Sequence, residues 1–144
     1  MSSEQEKELV ATRAIIVIDR KVLLGRRGRG FAKGKFALIG GKPDSGELPI
    51  QAIVREVKEE TGLKFNNPKL FIEVENDNTV PGQIWHIYYF LGETVGELQL
   101  KVDEIPEVIY IGKDDLKKID IAFNHAEILQ EYFDQVEHDV KPQS

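Results

Sequence analysis

The chain has 144 residues, a formal net charge of −6, and 41% hydrophobic and 31% charged residues, a balance that suits one soluble domain with a core of its own. That acidity argues against generic binding to DNA or RNA backbones, which takes a positive surface. No cysteine is present, which excludes a disulfide framework or a zinc–thiolate centre, and no apolar run approaches the ~18 residues of a membrane span.

The opening MSSEQEKE is polar and lacks the apolar segment of a signal peptide. With the missing cysteines it points to a cytoplasmic protein. Residues 1–144 are expected to form a single domain, with about 1–7 and 141–144 frayed. Leu9 to Asp19, LVATRAIIVID, reads as a buried strand rich in β-branched residues. Asp19-Arg20-Lys21 makes a short turn, and Val22 to Arg26 returns as a second strand. Arg26, Arg27 and Arg29 then alternate with Gly25, Gly28 and Gly30. Glycine lets backbone approach a ligand closely, and arginine grips phosphate with two hydrogen bonds. The plain alternative is a solvated basic loop. Phe31 and Phe36 are core candidates, and either could stack on a base.

Gly41 to Leu63, GKPDSGELPIQAIVREVKEETGL, is the stretch around which the chain is organised. Pro49 fits the first helical position and Gly62 the residue just past the end. Ile50, Ile53, Val54 and Val57 fall at i, i+3, i+4 and i+7, an apolar stripe for a core. Glu56, Glu59 and Glu60 follow at i, i+3 and i+4. These three carboxylates share a sector about 100° wide beside the stripe, where like charges repel. A run of acids is usually a solvated face, but here it sits in a fixed frame. Gly41 is followed by Glu47 and then by Arg55-Glu56-Val57-Lys58-Glu59-Glu60-Thr61-Gly62-Leu63. This matches the pattern G-x5-E-x7-R-E-U-x-E-E-x-G-U, with U aliphatic, at every fixed position.

On those residues the chain resembles the Nudix hydrolases. The resemblance implies an α/β fold, an α/β/α sandwich around a mixed central sheet. It also implies Mg2+-dependent cleavage of a nucleoside diphosphate linked to another group, with Mn2+ as a substitute. Mg2+ takes oxygen ligands, commonly one or two carboxylates plus substrate phosphates, and carboxylates one helical turn apart offer that half-site. By resemblance Glu56, Glu60 and the Gly41 carbonyl are direct ligands, and Glu59 serves a second metal or a metal water. Glu47 and Arg55 resemble the family's charge pair that keeps loop and helix in register. The substrate is a small nucleotide, ADP-ribose or a similar nucleotide sugar, with a (d)NTP as the alternative. A sensing module that binds ADP-ribose without cutting it is a third reading, which the retained acids disfavour. A homodimer is compatible with all three. One departure is Leu38-Ile39-Gly40-Gly41, where many members read Leu-Pro-Gly-Gly.

Lys64 to Glu75 reads as a strand interrupted early by Asn66-Asn67-Pro68, and Asn76 to Gly82 as turns. Pro81 stands near the distance past the box at which ADP-ribose-cleaving relatives tend to carry a proline. Gln83 to Leu91, QIWHIYYFL, is the strongest strand signal. Its faces alternate, with Ile84, His86, Tyr88 and Phe90 on one and Trp85, Ile87, Tyr89 and Leu91 on the other. His86 is expected to be a hydrogen-bonded core residue, and Trp85 either packs in the core or stacks on a base. Gly96 to Val102 reads as a strand. Asp103 to Glu107 is an acidic loop before strand Val108 to Ile111. In the family a glutamate of this loop often acts as an extra ligand or general base. Glu104 is the candidate by its spacing to Tyr110, with Glu107 and Asp103 as alternatives. Asp114 starts a short helical turn. Ala122 to Glu137 reads as the second long helix, with Ile128, Leu129, Tyr132, Phe133 and Val136 inward. Its opening, Ala122-Phe123-Asn124-His125, resembles the AFDH-type start of this helix in ADP-ribose-type members, with Asn124 in place of Asp as N-cap.

Overall fold

The computed structural model describes residues 9–139, so the expected frayed ends lie outside the described residues. Two apolar cores sit on opposite faces of one mixed sheet, and the alternation of β1 (Leu9–Ile18) creates both. Ala11 and Ile15 enter one core, Ala14 and Ile16 the other. β1 runs parallel to β6 (Trp85–Val95) from Leu9↔Trp85 to Ile16↔Gly92. On the other side of β6 lies β5 (Lys64–Asp77), antiparallel. Asn67 bulges out with φ 47° and shifts the register, so the expected interruption bends the strand without ending it. As read from sequence, Ile87 and Tyr89 enter one core and Phe90 the other.

β2 (Lys21–Arg26) meets β1 only at Val17↔Val22 and Ile18↔Lys21. Beyond that point β1 pairs instead with β4 (Ile39–Gly41), through Thr12↔Gly41 to Ala14↔Ile39. β2 continues with β3 (Phe36–Ala37) and β7 (Val108–Ile111). The sheet therefore splits between β2 and β4, and the split holds the site described below.

α1 (Pro49–Thr61) covers one face, burying Ile53 and Val57. Ala52 is buried as well, while Ile50 is 40% exposed, so the stripe sits slightly rotated from the sequence reading. Gln51 caps the Leu48 N–H at 2.9 Å, and Gly62 ends the helix at φ 79°, a left-handed conformation that glycine adopts without a Cβ penalty. α2 (His125–Asp139) covers the other face with Ile128, Leu129, Tyr132 and Phe133. It starts later than expected, because Phe123 takes φ 58°, outside the helical region. Asn124 offers its carbonyl to the Glu127 and Ile128 N–H groups, but its side chain turns to Asp77, at 3.0 Å, instead of capping. The expected strand at 96–102 does not form. Gln99 and Lys101 donate their N–H groups to the Thr61 and Glu60 carbonyls of α1, so this segment caps a helix end rather than joining a sheet. Among the described residues, no helix is long and apolar enough to cross a membrane.

Candidate active site

The helix α1 presents its acids toward the split in the sheet, and each has a different fate. Glu60 is 7% exposed. Burial first, then a hydrogen bond and negative charge from Glu56, push its carboxyl up to about 8. Two carboxyl groups held this close, one of them buried, favour a shared proton or a cation. The Glu56 carboxylate lies against the Gly41 backbone, where a Cβ would meet it at 2.5 Å and push that carboxylate aside. The Gly41 carbonyl accepts from Thr12 Oγ1 at 3.2 Å and keeps a second lone pair.

Glu59 is half exposed and accepts from Arg55 Nη1 at 3.1 Å. The same nitrogen reaches Glu56 at 3.1 Å. Arg55 Nε and Nη2 bind the two oxygens of Glu47, both at 2.9 Å, and Nη2 also reaches the Lys42 carbonyl. The Arg55 guanidinium holds the Glu47 carboxyl below the usual carboxylate range. In turn its bond to Glu47 raises Arg55 further above its already high value. Arg55 thus ties the loop after Gly41 to the acidic face of α1.

This donor set fits a hard divalent cation. All its atoms are oxygens, from Glu56, Glu60 and the Gly41 backbone. Among the described residues no three His, Asp or Glu side chains form a closed metal cluster. Two carboxylates completed by ligand phosphates is the arrangement Mg2+ commonly takes.

Two adjoining cavities lie beside these acids. The inner one, about 120 Å³, is walled by Glu60, Glu104, Arg13, Arg27 and Arg29. Glu104 receives Arg29 Nη2 at 2.5 Å and Lys101 Nζ at 3.2 Å, both on Oε1. The acidic loop is held to the arginine loop through Gly28 N–H to the Glu104 carbonyl, 2.8 Å. The outer cavity, about 240 Å³, is walled by Phe31, Trp85, Phe123, Arg13, Arg27 and Asp77, among others. Arg26, by contrast, turns to Glu107 at 2.7 Å and lines neither cavity. His86 stacks on Tyr88 and bonds Glu73 at 2.6 Å, away from both.

Reading the sequence missed Arg13 and the Asp77–Asn124 pair. Arg13 had a visible signal: it is the one charge within LVATRAIIVI, and its parity places it on the inward face with Ala11 and Ile15. Burial lowers its pKa. Asp77 is 7% exposed and accepts from the Asn124 amide and the Thr79 N–H. No local pattern announces a contact between residues so far apart.

A family model described as NUDIX domain matches residues 8–132. An ADP-ribose pyrophosphatase of Methanocaldococcus jannaschii is 36% identical over 124 residues, 85% of this chain and 72% of its own length. An oxidized purine nucleoside triphosphate hydrolase of Danio rerio is 46% identical over a shorter stretch of 52 residues, 36% of this chain and 33% of its own. The NUDIX domain of Shewanella oneidensis NrtR, solved with ADP ribose, superposes with a TM-score of 0.78 at 18% identity, over 98% of this chain and 94% of that one.

Proposed function

The chain belongs to the Nudix family, and from that premise we propose that it hydrolyses the phosphoanhydride of ADP-ribose or a similar nucleotide sugar, using Mg2+ with Mn2+ as a substitute. The observation that carries this reading is the adjacency of the two cavities. An inner cavity with Glu60, Glu104 and three arginines opens beside an aromatic outer one with Phe31, Trp85 and Phe123. A diphosphate suits the first and a nucleoside the second. The likeness to the Methanocaldococcus jannaschii pyrophosphatase over most of the chain supports the substrate class.

Glu56, Glu60 and the Gly41 carbonyl hold the cation in this reading. Bound there, it would neutralise the pyrophosphate and activate a water for attack. Glu59 serves a second cation or a cation's water. Arg55 and Glu47 fix the loop that carries Gly41. Glu104 takes the proton of the attacking water, since it faces the inner cavity from outside the helix. Arg27, Arg29 and Trp85 contact the substrate, and Arg26 braces the acidic loop through Glu107.

A second reading, cleavage of (d)NTPs, draws on the 46% identical stretch of the Danio rerio enzyme. A panel of ADP-ribose, nucleotide sugars, dinucleotides and (d)NTPs with Mg2+ decides between them. Turnover of ADP-ribose well above the triphosphates is expected. Preference for a triphosphate would install the second reading, and no turnover of any member would leave a binding module.

A further inference from the structure

Five arginines surround the site, and two of them stand apart. Arg26, Arg29 and Arg55 each bind a carboxylate. Among the described residues Arg13 and Arg27 bind none. Arg13 donates only from Nη1, to the Leu38 carbonyl at 3.3 Å, and its buried Nε has no partner. Arg27 donates from Nε to the Phe31 carbonyl at 2.7 Å. Both guanidinium carbons lie over the ring of Phe123, at 5.3 Å and 5.0 Å from its centroid. Phe123 holds this position at φ 58°, a strained conformation for a bulky residue. Two like charges, partly desolvated and short of acceptors, are a costly arrangement. A dianionic ligand would repay it, because charge-assisted bonds from paired guanidiniums are the strong ones.

Position adds the second argument. Arg13 and Arg27 wall both cavities. A ligand reaching from the acids of the inner cavity to the aromatics of the outer one must pass them. We propose that Arg13 and Arg27 form a two-guanidinium clamp for the substrate's diphosphate at the junction of the cavities, with the nucleoside in the outer cavity and the clamp as the determinant that admits diphosphates. This rests on the nucleotide-diphosphate reading above and adds to it Arg13 and the pairing of Arg13 with Arg27.

The test is calorimetric binding of ADP, AMP and adenosine in metal-free, EDTA-containing buffer. It compares wild type with Arg13→Met, Arg13→Lys and Arg27→Met. Arg13→Met keeps the length of the stem and loses the charge. The expected result is ADP binding weakened at least about tenfold in both Met variants, with adenosine unchanged and Arg13→Lys in between. Unliganded Arg13→Met should melt no lower than wild type, since it removes a buried charge with an unmet donor. Equal weakening of ADP and adenosine would overturn the clamp and make Arg13 a wall of the nucleoside site. So would ADP binding that the Met variants leave unchanged. If wild type binds neither ADP nor AMP in EDTA, the clamp is overturned, while the nucleotide-diphosphate reading stands or falls on the turnover panel with Mg2+.

Discussion

Arg55 grips Glu47 through two parallel bonds of 2.9 Å, Nε to Oε2 and Nη2 to Oε1. The remaining Arg55 nitrogen reaches Glu56 and Glu59. One guanidinium therefore spans the loop and the acidic helix face. Lysine has one point of charge and cannot make the fork. Arg55→Lys and Glu47→Gln should each lower kcat by about tenfold or more and raise the metal concentration needed for half-activity. The double variant should be no worse than the poorer single one, because both break one unit. Additive losses in steady-state kinetics would show that the two residues act separately. The same bond makes Glu47 a source of pH dependence. Its pKa is lowered on folding, so its contribution is present above the unfolded carboxylate range and is lost as pH falls through the folded value.

Glu60 is the most buried of the three acids on α1, and its carboxyl is hydrogen-bonded to Glu56. Glu60→Gln keeps the shape and removes the charge. Turnover should fall by about 10²–10⁴-fold, while the variant in chelator melts no lower than wild type, since a repulsion has gone. Wild type should be inactive in EDTA and recover with Mg2+ or Mn2+. Ca2+ alone should bind without restoring turnover, given its longer and looser coordination. Near-normal kcat in Glu60→Gln, or activity in EDTA, would remove Glu60 from the metal site.

His125 is wholly buried and stays neutral. Its Nδ1 accepts the Leu38 N–H at 3.1 Å, so the ring proton sits on Nε2. Burial, with the charges of Arg13 and Arg27 behind it, holds the pKa well below the histidine norm. The unfolded chain takes up a proton below about pH 6.5 while the folded chain does not. Stability is therefore fully present above that pH and declines as pH falls, by at most about 1.4 kcal/mol per pH unit from this group. Urea unfolding at pH 7.5, 6.5 and 5.5 measures the slope. His125→Gln, which retains an acceptor for Leu38, should flatten it. An equal slope in the variant would assign the pH dependence to other groups.

The bounds of α1 were legible because their signals are local, although its buried stripe sits slightly rotated. Pro49, the stripe of Ile53 and Val57, and Gly62 lie within one short stretch of chain, and so does the acidic frame from Glu47 to Glu60. The rest depends on partners remote in sequence. Asn124 has the chemistry of an N-cap, yet its amide goes to Asp77, a buried carboxylate on another element. Asparagine rather than aspartate at 124 follows from that contact, since a second carboxylate would face the first. Gly96 to Val102 has the composition of a strand, but its N–H groups find the orphan carbonyls of α1. Arg13 falls within a stretch that reads as a buried strand, although a lone charge on an inward face is the one feature of that strand that propensity does not explain.

Glu104 lines the inner cavity from the acidic loop, as Glu60 does from α1. The helix acids are engaged with one another and with Arg55, so a carboxylate from outside the helix is the candidate proton acceptor. Arg29 and Lys101 both hold its Oε1, which orients the group and leaves Oε2 to accept. Glu107 sits in the same loop but pairs with Arg26 outside the cavity. The two residues should therefore differ sharply. Glu104→Gln should lower kcat at least about tenfold with KM and metal affinity nearly unchanged, as expected for an interaction made in the transition state. Glu107→Gln should change little. Wild type should show an acid limb in its kcat–pH profile that Glu104→Gln lacks. If Glu104→Gln instead weakens metal binding, the residue is a ligand and the base lies on α1, at Glu59 or Glu56. If neither rate nor metal affinity moves, Glu104 serves only to fasten the loop to Arg29.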